Sequence, residues 1–150
     1  MMARYPAWLL RADDDVTFAV AQHEMIEYLT EARVQRVPLA NPYCDHLALW
    51  RDALVPILDF PRLLRGAGVT IQRALSIVAY QPRALRPLEY LGIWVDAPPS
   101  RIAVGDDQAC DLPQAWHDVR FAPLALSCFT HDDQPVPILN LAQLAGVSLA

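Results

Sequence analysis

The chain has 150 residues, 54% of them hydrophobic and 19% charged, and a formal net charge of −5. That length suffices to bury roughly 70% of the unfolded surface around one core, so no disulfide or metal staple is required and a disordered chain is excluded. A pI near 5.2 with no cationic run argues against contacts to a phosphate backbone, and all twelve basic residues are arginine, which suits fixed planar pairing.

In chain order, "AWLLRADDDVTFAV" is two apolar runs around the acidic turn Asp13-Asp14-Asp15 and predicts a β-hairpin. In the following "AQHEMIEYLTEARVQ", Met25, Leu29 and Ala32 fall at helical spacing, and periodicity alone predicts about three helical turns. A connector with Pro38, Asn41 and Pro42 leads to "HLALW" and "ALVPILD", two strands around a tight polar turn. "DFPRLLRG" then predicts a helical turn with Asp59 as cap, Pro61 in the first turn and Gly66 at the exit. "LSIVAY" and "YLGIWVD" predict buried strands separated by the Pro/Arg loop "QPRALRPLE", and "RIAVGDDQACDLPQAWHDVR" is expected to be irregular.

The end of the chain repeats its middle. Val136-Pro137-Ile138-Leu139 echoes Val55-Pro56-Ile57-Leu58, and "LAL" at Leu124 to Leu126 echoes Leu47 to Leu49. The offset grows from 77 to 81 residues, which places four inserted residues at the loop "THDDQ". A proline inside a strand belongs on an edge or at a bulge, so the shared proline suggests a device for bending a strand around a small barrel. Asn140 and Gln143 are spaced as a capping box. These features divide the chain into two related five-stranded barrels near 8–66 and 74–147. Leu47, Leu49, Leu54, Ile57, Leu124, Leu126 and Ile138 are expected in the barrel interiors.

The pattern resembles the CheW family of bacterial chemotaxis adaptors, which reads "YALPIERVREVL" and then "VPGAPPWVLGVINLRGRVLPVIDLRRLLG". "FAVAQHEMIEYL" from Phe18 and "VPLANPYCDHLALWRDALVPILDFPRLL" from Val37 follow these without gaps, with Glu27 at an acidic position. "YLGIWVDAPPSRI" is similar to a second-barrel strand of the family. The family's "NLRG" is here "LWRD", which keeps only Arg51. The resemblance implies a mainly-β fold of two packed five-stranded SH3-like barrels, spanning 1–150 as one domain. It also implies a turn and strand, rather than the periodic helix, around Met25 to Val34.

By the same resemblance, the function is that of a non-catalytic, cytoplasmic adaptor of a bacterial two-component system. It would couple a chemoreceptor's cytoplasmic tip to the regulatory domain of a CheA-type histidine kinase, with no cofactor, metal, nucleic acid or membrane insertion. Arg51 matches the family's groove-facing arginine, and Trp50, Asp52 and Glu27 join it as candidate receptor-groove residues; no residue is assigned to the kinase interface. A solvated hairpin tip is the plain alternative for Arg51, and Asp52 could pair with it. Strand alternation sets Trp50 opposite Arg51, which fits either core packing or an anchor; Trp94 is expected in the core. Arg83 and Arg86 form a solvated connector or meet an acidic partner surface.

Two other functions fit the residues. The altered "LWRD" suits a divergent scaffold of a pilus-motility or other signalling system with altered or single partners. A small hydrolase would use Cys44 or Cys128 with a histidine, but neither Cys44-Asp45-His46 nor Cys110 with His117 has a metal-ligand spacing or a visible orienting third group. His131-Asp132-Asp133 is expected as a polar loop tip. Three widely spaced cysteines without a CxxC suggest a reduced compartment, and no apolar run reaches eighteen residues or the form of a signal peptide.

Overall fold

The computed structural model describes residues 3–66 and 74–148. Eleven strands are found among them: β1 (Arg4–Asp13), β2 (Val16–Ala21), β3 (Met25–Leu29), β4 (Arg33–Arg36), β5 (His46–Trp50), β6 (Ala53–Leu58), β7 (Ala74–Tyr80), β8 (Glu89–Val95), β9 (Ser100–Gly105), β10 (Ala125–His131) and β11 (Gln134–Leu139). The helices α1 (Phe60–Arg65) and α2 (Leu141–Ser148) each follow a VPIL strand. The fold is mainly β, with one sheet ordered β10-β11-β2-β1-β9 and the other β3-β7-β8-β6-β5-β4. The second therefore has six strands where five were expected, because β4 adds itself to the outside of β5.

Neither sheet is confined to one half of the chain. The hairpin β1–β2 lies in the sheet completed by β9, β10 and β11, and the hairpin β7–β8 lies in the sheet completed by β3 to β6. A division at 8–66 and 74–147 thus does not separate the two barrels. Each VPIL strand makes the crossing: β6 pairs in parallel with β8 at Ile57↔Gly92, and β11 pairs in parallel with β2 at Ile138↔Ala19. Pro56 and Pro137 are the residues just before those contacts, where each strand has been paired on one side only. A proline is tolerated there because no second ladder yet needs its N–H. At Gly92 an added Cβ would lie 3.0 Å from Leu75 Cδ1 and 3.4 Å from Pro56 O, so a larger residue beside the parallel contact would have to displace the Leu75 side chain.

The helical spacing of Met25, Leu29 and Ala32 does not produce a helix. A single 3-10 turn at Gln22–Glu24 is closed by Glu24 Oε1, which accepts from Ala21 N at 2.9 Å, and β3 then pairs with β7. Tertiary pairing overrides the local period, as the family resemblance implied. "RIAVG" is not irregular but is β9, paired with β1 from Arg4↔Gly105 to Leu9↔Ser100. Its Ile102 and Val104 pack on a small cluster with Ala19, Phe129 and Val136.

The repeat is tighter than the sequence suggests. Leu47 faces Pro56 and Cys128 faces Pro137, so Cys128, not Leu124, is the counterpart of Leu47. Both hairpins turn on two residues, and nothing is inserted at "THDDQ". The interior assignments shift accordingly. Ala48, Trp50, Val55 and Ile57 point inward, whereas Leu49, Leu54 (65% exposed) and Leu126 face outward and Leu47 and Ile138 are half-buried. A period of two means that a choice one residue off reverses the whole face. Ile57 and Leu124 are buried as expected.

Residues from both sheets share the main core. Phe18 of β2 stacks on Phe60 of α1 at 5.1 Å, and Phe60 meets Trp116 at 5.3 Å, with Leu10, Leu58, Leu91, Leu139 and Leu144 around them. Full burial of each such side chain is worth about 1.5–3 kcal/mol. Asp59 Oδ1 accepts from Arg62 N at 3.2 Å, and Gly66 closes α1 in the left-handed region at φ 72°. Asn140 Oδ1 accepts from Gln143 N at 3.2 Å, but its own N–H donates to Leu124 O, so only half of the expected box forms. The acidic turn of the first hairpin is tied to α1 by Arg65, which pairs with Asp13 and Asp15.

Candidate functional site: the β5–β6 hairpin tip

The turn between Trp50 and Ala53 consists of Arg51 and Asp52, with φ of 47° and 62°. Two successive left-handed residues make the mirror-image turn that matches strand twist, at some cost for side chains that are not glycine. Trp50 is only 6% exposed; its ring meets Tyr90 of β8 at 5.0 Å, and its Nε1 donates to Glu27 Oε2 at 2.5 Å. The other carboxylate oxygen of Glu27 lies 3.9 Å from Arg51 Nη2. The Arg51 guanidinium itself lies 4.4 Å above the Trp50 ring. A buried indole, a half-buried carboxylate on β3 and a cation at the tip thus form one cluster.

The arrangement fixes an arginine without covering it. Stacking on an indole and facing a carboxylate restrict the guanidinium, while the Arg51 side chain remains 63% exposed. A planar cation held in this way presents its free N–H groups to an acceptor at reduced entropic cost. Trp50 faces the interior, so it supports Arg51 from below. Asp52 is exposed beside them, and the guanidinium turns to Trp50 and Glu27 instead of pairing with it. Tyr90 was not visible from the sequence, since nothing in a strand marks which aromatic lies across a barrel.

Trp94 does not join the core formed by Leu91, Ile93 and Val95. It projects from the opposite face of β8, half-buried and edge-on to His46 at 6.5 Å, beside a cavity of about 460 Å³ floored by Leu29, Ile57 and Leu75. On the outer face of β5–β6, exposed Leu49 and Leu54 oppose each other directly. Arg83 and Arg86 are exposed in their loop, with Arg86 O accepting from Gln81 Nε2 at 3.2 Å.

The histidines of the cysteine and histidine groupings engage a carboxylate or a carbonyl rather than a cysteine sulfur. His46 Nδ1 lies 2.7 Å from Asp45 Oδ1, and burial, reinforced by Asp45, pushes the Cys44 thiol up to about 11. Such a thiol is a poor source of thiolate near neutrality. His117 Nε2 is engaged with Leu112 O at 2.8 Å and His131 Nε2 with Asp132 Oδ2 at 3.5 Å. Among the described residues, no three His, Cys, Asp or Glu side chains are grouped to hold a metal ion. No described helix is long and apolar enough to cross a membrane.

The sequence model of the CheW-like domain matches residues 7–148, nearly the whole chain. The chain belongs to the CheW-like domain family. The crystal structure of the scaffolding protein TtCheW from Thermoanaerobacter tengcongensis is similar in fold, with a TM-score of 0.68 and 13% identity over 92% of this chain and 90% of that one. No curated protein sequence matches the chain. The two mixed sheets are accordingly the two SH3-like barrels of a CheW-like fold.

Proposed function

We propose that this CheW-like domain is a cytoplasmic adaptor that couples the cytoplasmic tip of a chemoreceptor to the regulatory domain of a CheA-type histidine kinase, and that the β5–β6 tip faces the receptor. The observation that carries this reading is the preorganised Arg51, held between Trp50 and Glu27 yet open to a partner. Arginine in such a setting is a common interface anchor. The family supports a scaffold role in place of chemistry, and burial raises the Cys44 thiol that the hydrolase reading would need as a thiolate.

A second reading keeps the scaffold and changes the partner. Asp52 occupies a left-handed position at φ 62° where the resembling family has glycine, so the turn is retained while a negative charge is added beside Arg51. That change suits a pilus-motility or other signalling system whose partner differs at this point. Titration of the domain with a chemoreceptor tip fragment from its own cell distinguishes the readings. Arg51→Ala is expected to weaken binding by about 1–3 kcal/mol with the melting temperature almost unchanged. Equal affinity of wild type and variant overturns the receptor-groove assignment, and a pull-down that recovers neither kinase nor receptor favours the altered partner.

A further inference from the structure

The first barrel has a seam. Its sheet ends at β9 on one side and β10 on the other, and the chain leaving β9 crosses directly to β10. After the 3-10 turn Asp106–Gln108, Gln108 Nε2 donates to Thr130 O at 3.0 Å and Thr130 Oγ1 donates to Gln108 O at 3.4 Å. Ala109 then forms an isolated antiparallel bridge with Phe129, and Cys110 N donates to Cys128 O at 3.0 Å. The two cysteines, 18 residues apart in the chain, end this ladder with their sulfurs 3.5 Å apart.

We propose that Cys110 and Cys128 are a redox-responsive pair that hydrogen peroxide converts into a disulfide across this seam. Residues directly opposed in a hydrogen-bonded antiparallel pair have Cα atoms about 5.5 Å apart, within the 4.4–6.8 Å span of disulfides. The sulfurs need to close by only about 1.5 Å, which rotation about the side chains can supply. Cys110 is the accessible member: it is partly exposed in a shallow depression with Leu112, Trp116 and Leu126, whereas Cys128 is buried. Burial, with the Cys110 sulfur beside it, pushes the Cys128 thiol up to about 12, so Cys110 makes the first attack.

In the first step the Cys110 thiolate attacks one peroxide oxygen. The O–O bond breaks, Cys110 becomes a sulfenic acid, and the departing hydroxide takes a proton and leaves as water. Cys128 sulfur then attacks the sulfenic sulfur, its proton passing to the leaving hydroxyl; the S–O bond breaks, the S–S bond forms and a second water departs. Two thiols are oxidised by two electrons and one peroxide is reduced to two waters. Cys44 takes no part, because it lies in the turn Pro42–Cys44 next to the other barrel. The pairing holds whether or not the adaptor reading is right, since it rests on the seam alone.

The test treats the full chain with hydrogen peroxide, alkylates the remaining thiols under denaturing conditions and maps the peptides. The expected result is a monomer with one intramolecular Cys110–Cys128 link and Cys44 still alkylated. The melting temperature rises by roughly 5–10 °C and falls back on adding dithiothreitol. Cys44→Ser is expected to behave as wild type, and Cys110→Ser, at a partly exposed position, to melt as the reduced protein does and to lose the rise. Three unmodified thiols, a link between two chains, oxidation of Cys44 in preference, or sulfinic acid at Cys110 without a link would each overturn the proposal.

Discussion

At the end of β5, Arg51 and Asp52 turn the chain with φ of 47° and 62°; at the end of β10, 81 residues on, Asp132 and Asp133 do so with φ of 50° and 60°. The two backbones are near copies, and both hairpins go on through a proline, a parallel contact with the other half's hairpin and a capped helix. Their surfaces differ in kind. One tip carries a cation seated on an indole and a carboxylate, the other two acids beside a half-exposed histidine. The difference teaches that the repeat specifies architecture, while recognition is written into two or three side chains at a turn that architecture leaves free to vary.

That separation can be tested by mutating equivalent pairs. Leu58 and Leu139, both fully buried at the ends of the crossing strands, should each lose about 2–5 kcal/mol on change to alanine, and by similar amounts in chemical denaturation. A large loss at one and tolerance at the other breaks the structural equivalence. At the tips the pair should diverge. Trp50→Phe leaves Glu27 Oε2 without its indole donor and is expected to cost about 1.5–3 kcal/mol, whereas His131→Ala should stay within about 0.5 kcal/mol. Between these fall the caps: Asp59→Ala and Asn140→Ala should each cost about 0.5–2 kcal/mol, because each side chain accepts a backbone N–H at the same 3.2 Å.

Features determined within a few residues were legible from the sequence. The hairpins, the Asp59 and Asn140 caps, the Gly66 exit and the proline-bearing strands all depend on neighbours in the chain. Resemblance carried the reading further, placing β3 where helical spacing pointed the other way. Facing was not legible, because "HLALW" alternates equally well either way and only packing of Trp50 on Tyr90 decides that the leucines turn outward. Trp94 likewise lies on the face of β8 opposite Leu91, Ile93 and Val95, where it packs half-buried against the core cluster of Ala48, Val55, Ile57 and Leu75. Of the site, Arg51, Trp50 and Glu27 could be named, but not their joint geometry, since Glu27 and Trp50 meet across 23 residues of chain. The Cys110–Cys128 contact likewise arises from a seam between strands that no spacing rule describes.

The exchange of hairpins gives the two halves of the chain a reciprocal relation. Each half of the chain lends β1–β2 or β7–β8 to the other and receives the same in return. Two half-length chains trading their first hairpins about a twofold axis would close the same pair of barrels, so the molecule has the form of a swapped homodimer joined into one polypeptide. In a single polypeptide the two halves need not be identical, and one hairpin tip carries Arg51 where its twin carries Asp132.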